Sequence, residues 1–183
     1  MKNLLAILSA TLIFVSSLTM AGVAEDRAEY DKSANETIAK FKQEKPDISA
    51  KIASGVGYAV FSNVGVNLFV ISAGGGTGIA VDNATGKKTY MKMGEAGVGF
   101  GLGVKDFRAL MIFKTRKAFD KFVESGWLFG AQADAAGTSG DKGGSAEVEG
   151  AIGDVDIYQL TEAGLSLQAT IKGTKFWQDG DLN

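Results

Sequence analysis

Before residue 57 the apolar positions recur with a helical period, and after it they recur with a period of two. Side chains of a strand point alternately to opposite faces, whereas on a helix positions three and four apart share a face. Residues 25–45 are dense in charge and sparse in apolar positions. Ala34, Ile38 and Phe41 nevertheless fall at i, i+4 and i+7, a narrow stripe that predicts a helix docked on a sheet. Pro46 ends it, since proline lacks the N–H the next turn needs. A short second helix is expected over residues 48–53, stopped by Gly55.

Strands are predicted at 57–61, at 64–71, and at 78–81 and 87–93 around the hairpin turn Asp82-Asn83-Ala84-Thr85-Gly86. On the second arm of that hairpin Lys88, Tyr90 and Lys92 share one face, and Thr89, Met91 and Met93 the other. Residues 109–113 are continuously apolar, as in a strand buried on both faces. Thr115 is a good N-cap for a short helix that turns Ala118, Phe119 and Phe122 inward. Alternation returns at 127–136, and residues 154–160 and 165–171 form a further hairpin, with a polar, Gly-rich loop at 137–145 between. The fold class is therefore α+β: mainly an antiparallel curved or barrel-like sheet, with N-terminal helices and one short helix near 115–124. No linker divides the chain.

The stretch Ala96-Gly97-Val98-Gly99-Phe100-Gly101-Leu102-Gly103-Val104 carries glycine at every second position. One face of such a strand is bare backbone, which invites close approach by another element, a ligand or a partner strand. Glycine is also the compositional departure, at 25 of 183 residues, roughly twice the usual share. Ala73-Gly74-Gly75-Gly76-Thr77-Gly78 lacks the spacing and the Lys-Ser/Thr end of a phosphate-binding loop, so a bend between strands is expected there.

Residues 1–24 read as an export signal. Met1-Lys2 is the basic start, residues 4–15 form the apolar run, and small residues follow up to Ala24. The run is short for a membrane span, so residues 25–183 are expected as one exported, periplasmic domain, soluble or peripheral to the membrane. The sequence contains no cysteine and no histidine. That excludes disulfides, thiol nucleophiles, Ser-His-Asp catalysis and the common zinc sites. Asp154-Val155-Asp156 lacks the remaining ligands of a calcium loop, and no motif places a pair of catalytic carboxylates. No enzyme activity, cofactor or metal is expected.

A net charge of −2 hides an asymmetry. Between residues 84 and 124 nine Lys and Arg stand against four acids, a net +5, while residues 131–183 carry three lysines against nine acids, a net −6. Either the two segments neutralise each other in the fold, or the basic one offers a surface to an anionic partner. Nucleic acid is not expected, for want of any basic-aromatic motif.

Gly57-Tyr58-Ala59-Val60-Phe61-Ser62-Asn63-Val64-Gly65 resembles the signature of the SYLF domain, in which proline usually stands at the Ser62 position. The run from Leu110-Met111-Ile112-Phe113-Lys114-Thr115 through Ala118, Asp120, Lys121 and Phe122 to Ser125-Gly126-Trp127 is similar to that family too, as is the Gly-alternating stretch before it. The likeness runs from about residue 35 to the end. It implies a compact, β-rich lipid-binding module. Eukaryotic members bind phosphoinositides, the yeast-type branch binds actin filaments, and bacterial relatives are mostly exported. With an export signal and no SH3 or FYVE partner domain, actin binding is not expected here. The chain is thus read as a non-enzymatic module that associates peripherally with anionic phospholipid. Head-group contact is assigned to Lys114, Arg116, Lys117 and Lys121, with Trp127 as an interfacial aromatic. The alternative is an envelope protein-interaction or assembly module whose Gly-lined face receives a protein partner.

Overall fold

A computed structural model of the chain describes residues 2–63, 75–95, 107–128, 151–161, 164–166 and 174–183. The Gly-alternating stretch 96–104, the predicted strand 64–71, the loop 137–145 and most of 127–136 lie outside the described residues.

The helical stripe at the N-terminus belongs to one long helix, α1 (Lys2–Glu44), which ends two residues before Pro46. A short helix, α2 (Ile48–Ser54), follows and is capped by Gly55. The chain then enters β1 (Gly57–Ser62), β2 (Gly76–Asp82), β3 (Lys88–Glu95) and β4 (Arg108–Phe113). Helix α3 (Arg116–Ser125) precedes β5 (Trp127–Leu128), β6 (Ala151–Ile152), β7 (Val155–Thr161), β8 (Gly164–Ser166) and β9 (Thr174–Gln178). All these strands pair antiparallel in one curved sheet ordered β5-β9-β3-β2-β1-β4-β7, and the outer edge of β7 is shared by β6 and β8. The α+β class with a curved antiparallel sheet therefore holds. Among the described residues no helix is long and apolar enough to cross a membrane.

Both faces of the sheet are covered. On one face Val60, Ile79, Val81, Leu110, Ile112, Tyr158 and Leu160 meet Ala34 and Phe41 of α1 and Ile48 of α2. On the other, Ala59, Phe61, Met91, Met93, Met111, Phe113, Ile157 and Phe176 meet Phe119 and Phe122 of α3. Strand β4 is central, with Ala109 to Phe113 wholly buried. Its unbroken apolar run reflects that double burial rather than a parallel sheet.

The turns follow local chemistry. Asp82 accepts the Ala84 amide on its carboxylate (2.8 Å), and Gly86 takes a positive φ of 71° to close the β2–β3 hairpin. Thr115 caps α3 by accepting the Ala118 amide at 3.3 Å. Gly126 ends α3 at φ 66°, where a Cβ would collide with the Phe176 carbonyl oxygen.

Candidate functional site

The basic residues singled out in the sequence gather around the start and outer face of α3, because Phe119 and Phe122 commit the opposite face to the core. Lys114 sits just before the helix and pairs with Asp156 of β7 at 2.6 Å. Arg116 lays its guanidinium fork on both carboxylate oxygens of Asp82, at 2.9 and 3.1 Å. It also lies 3.6 Å from Asp120 and stacks 5.4 Å over the Phe119 ring. The pairing holds the Asp82 carboxyl below the usual carboxylate range and raises the guanidinium further. Both cations stay accessible, with Lys114 48% and Arg116 43% exposed.

Lys117 and Lys121 stand one turn apart on the solvent face of α3, exposed and without an ion-pair partner among the described residues. Trp127 stands differently. It is half-buried, with ring centroids 6.1 Å from Phe113 and 5.6 Å from Phe122. The structure thus gathers four cations at one helix and seats the fifth residue beneath it.

Neutralisation between the basic middle and the acidic end is real but incomplete. Lys92 bonds Asp179 at 2.9 Å and lies 3.8 Å from Asp181, and Lys114 takes Asp156. Lys88 goes instead to Asp31 of α1 at 2.8 Å. Periodicity alone missed two features. The tail residues Phe176-Trp177 lie on β9, beside β3, and the Asn83 amide donates to the carbonyls of Ile52 (2.7 Å) and Gly55 (2.9 Å), tying the hairpin turn to α2. A turn signal around Asn83 was visible; its partner thirty residues away was not.

The glycines that are described on the α3 side are roofed by the chain itself. A Cβ on Gly57 would come within 2.6 Å of the Phe119 ring, and one on Gly78 would overlap Phe61 and the Val60 carbonyl. Among the described residues no cluster of acids is placed to hold a metal ion.

What the described residues define is a curved-sheet α+β domain with helices on both faces. Residues 94–183 match the Ysc84 family, described as "Las17-binding protein actin regulator". Beta cell expansion factor A from Aeromonas veronii is 35% identical over 159 residues, which cover 86% of this chain and 59% of that protein. The chain therefore spans less than two thirds of this relative's length. The match places residues 94–183 in the SYLF (Ysc84) family, as the motif around α3 indicates. The motif around α3 falls within the matched segment, whereas the 57–65 motif precedes it.

Proposed function

We propose that this chain is an exported, non-enzymatic module that attaches peripherally to anionic phospholipid through the outer face of α3. Membership of the family supports a lipid- or actin-binding type of domain. The observation that carries the lipid reading is the pair Lys117 and Lys121, exposed on one face and unpaired among the described residues. Each basic residue near an anionic bilayer contributes about 1 kcal/mol, so two give weak, salt-sensitive attachment. Lys114 and Arg116 add less, because Asp156 and Asp82 already offset them. Trp127 serves chiefly to seat α3, through its contacts with Phe113 and Phe122. Export rests on residues 1–24, read as a cleaved signal.

Co-sedimentation with vesicles tests the reading. The purified protein is expected to pellet with phosphatidylglycerol vesicles and not with phosphatidylcholine, and to lose most of that binding when Lys117→Gln and Lys121→Gln are combined. Screening by salt should act in the same direction. Equal pelleting with both vesicle types, or no change in the double variant, would overturn it. An actin-filament pelleting arm measures the family's other property directly.

A further inference from the structure

Of the cations around α3, Arg116 is the one whose chemistry can tell one phosphate from another. A guanidinium presents paired donors that match two oxygens of a carboxylate or an exposed phosphate, whereas an ammonium acts as a point charge. The sequence holds three arginines, and each is engaged within the chain. Arg27 of α1 donates to the Leu182 carbonyl at 2.8 Å, and Arg108 of β4 has a partner too. Arg116 is the arginine of the α3 face.

Its fork is closed from the sheet side. Nη1 and Nη2 reach the two carboxylate oxygens of Asp82, the last residue of β2, at 2.9 and 3.1 Å. Nη2 also lies 3.4 Å from the Val56 carbonyl oxygen, and the guanidinium stacks on the Phe119 ring. Asp120 meets one arm alone, at 3.6 Å, and completes no fork. Two-point geometry of the Asp82 kind is what lets an ion pair near the surface hold. The lysines beside it, Lys117 and Lys121, are exposed on the outer face of the helix.

We propose that Asp82 sets the selectivity of the α3 face for anionic bilayers, an inference that rests on the lipid reading of that face. By holding the fork of Arg116, Asp82 leaves Lys117 and Lys121 to sense surface charge density, without preference among phosphate head groups. Specificity is a difference of affinities. Here the protein's own carboxylate occupies the group that would create the difference.

Co-sedimentation of the full chain with vesicles matched in zeta potential tests it. Phosphatidylglycerol and phosphatidylserine, both diesters, are compared with phosphatidic acid, a monoester whose terminal phosphate is exposed. Wild type is expected to bind all three alike. Asp82→Asn keeps an oxygen for the Ala84 amide in the hairpin turn and removes the charge that holds the fork. That variant should bind phosphatidic acid about tenfold more tightly than phosphatidylglycerol, the size of one charge-assisted hydrogen bond. Adding Arg116→Lys, which keeps the charge and removes the fork, should abolish the preference. A merely structural role for Asp82 would not move that ratio.

A wild-type preference for phosphatidic acid at matched potential would overturn the proposal, as would a folded Asp82→Asn variant without one. If circular dichroism shows that variant unfolded, wild type alone decides. Phosphate and chloride at equal ionic strength are expected to displace it equally from phosphatidylglycerol vesicles, and earlier displacement by phosphate would overturn the proposal. The two readings fail differently. No pelleting with any anionic vesicle, or indifference to Lys117→Gln combined with Lys121→Gln, sinks the α3 surface and this selectivity with it. Pelleting that needs both lysines but favours the monoester leaves the surface standing and removes only the role of Asp82.

Discussion

The two faces of the sheet hold their helices by different means. Beneath α3 the contacts are rings: Phe61, Phe113, Phe122 and Phe176 pack edge-on or tilted, with centroids 4.6 to 6.2 Å apart. Beneath α1 an aliphatic seam is bordered by Tyr30, Tyr58 and Tyr90 and stitched by polar bonds. Tyr30 donates to Asp179 at 2.7 Å, Arg27 donates to the Leu182 carbonyl at 2.8 Å, and Asp31 pairs with Lys88. Aromatic packing is indifferent to pH and salt, whereas charged hydrogen bonds respond to both. Solution conditions should therefore act on the α1 face, and changes of side-chain volume should weigh most on the α3 face.

The largest effect is expected from Phe122→Ala, which empties the middle of the ring cluster. Truncating a buried phenylalanine costs about 3–5 kcal/mol, read as a lowered urea midpoint. A loss below about 1 kcal/mol, the size of a typical surface-to-moderate change, would show that the rings do not carry this face. Gly78→Ala probes the same face by overfilling it. The new methyl meets Phe61 and the Val60 carbonyl, and overpacking of this kind costs about 1–3 kcal/mol. If alanine were neutral there, the close approach of Phe61 to the bare strand would not be structural.

These glycines also show how far the sequence could be read. Local pattern located β1, β2 and β3, the unbroken apolar run of β4, the Asp82–Gly86 turn and the capped α3, because each is specified by neighbours within a few residues. The stripe of Ala34, Ile38 and Phe41 was legible as a docking face for the same reason. What covers a glycine is a long-range fact: Gly57 lies under Phe119, some sixty residues on, and no local pattern encodes that contact. The charge asymmetry was legible as a total but not as pairings. Nothing in the spacing says that Lys114 meets Asp156, that Lys88 meets Asp31, or that Lys117 and Lys121 are left over. The tail carries no local pattern long enough to mark a strand, yet it supplies β9 and the Asp179 that anchors α1.

Asp179 makes the α1 face sensitive to acid. Burial pushes its carboxyl up, but the Tyr30 hydroxyl, the Lys92 ammonium and the Asp181 amide together hold it below the ordinary carboxylate range. Its contribution is therefore present above about pH 4, the unfolded value, and is lost as pH falls through the lower folded value. Asp179→Asn is expected to cost about 1 kcal/mol at neutral pH, with the difference from wild type closing in the acid limb of a urea-midpoint profile. Tyr30 works at the other end. Burial first, and then the bond to Asp179, push its hydroxyl up. That stabilisation is complete below about pH 10 and fades above it, and Tyr30→Phe should flatten the alkaline limb. Matching profiles in wild type and both variants would mean that the polar stitching of α1 is ornamental.

The smallest effect separates the exposed stitches from the buried one. Lys88 and Asp31 are both partly open to solvent, with side chains 42% and 29% exposed, and pairs of that kind contribute about 0.2–1 kcal/mol. Lys88→Gln should lower stability by a few tenths in dilute buffer, on the order of the lower half of that range, and by nothing measurable in molar salt. The Tyr30–Asp179 bond involves a carboxylate only 3% exposed, and screening by mobile ions falls steeply once a charge is buried. Asp179→Asn should thus keep its effect at the salt concentration that erases Lys88→Gln. If both effects vanished together, α1 would be held by surface charge and the apolar seam alone. If both persisted, the Lys88 bond would be more enclosed than its exposure indicates. Only the split outcome fits a helix fastened by one buried hydrogen bond and trimmed by solvated ones.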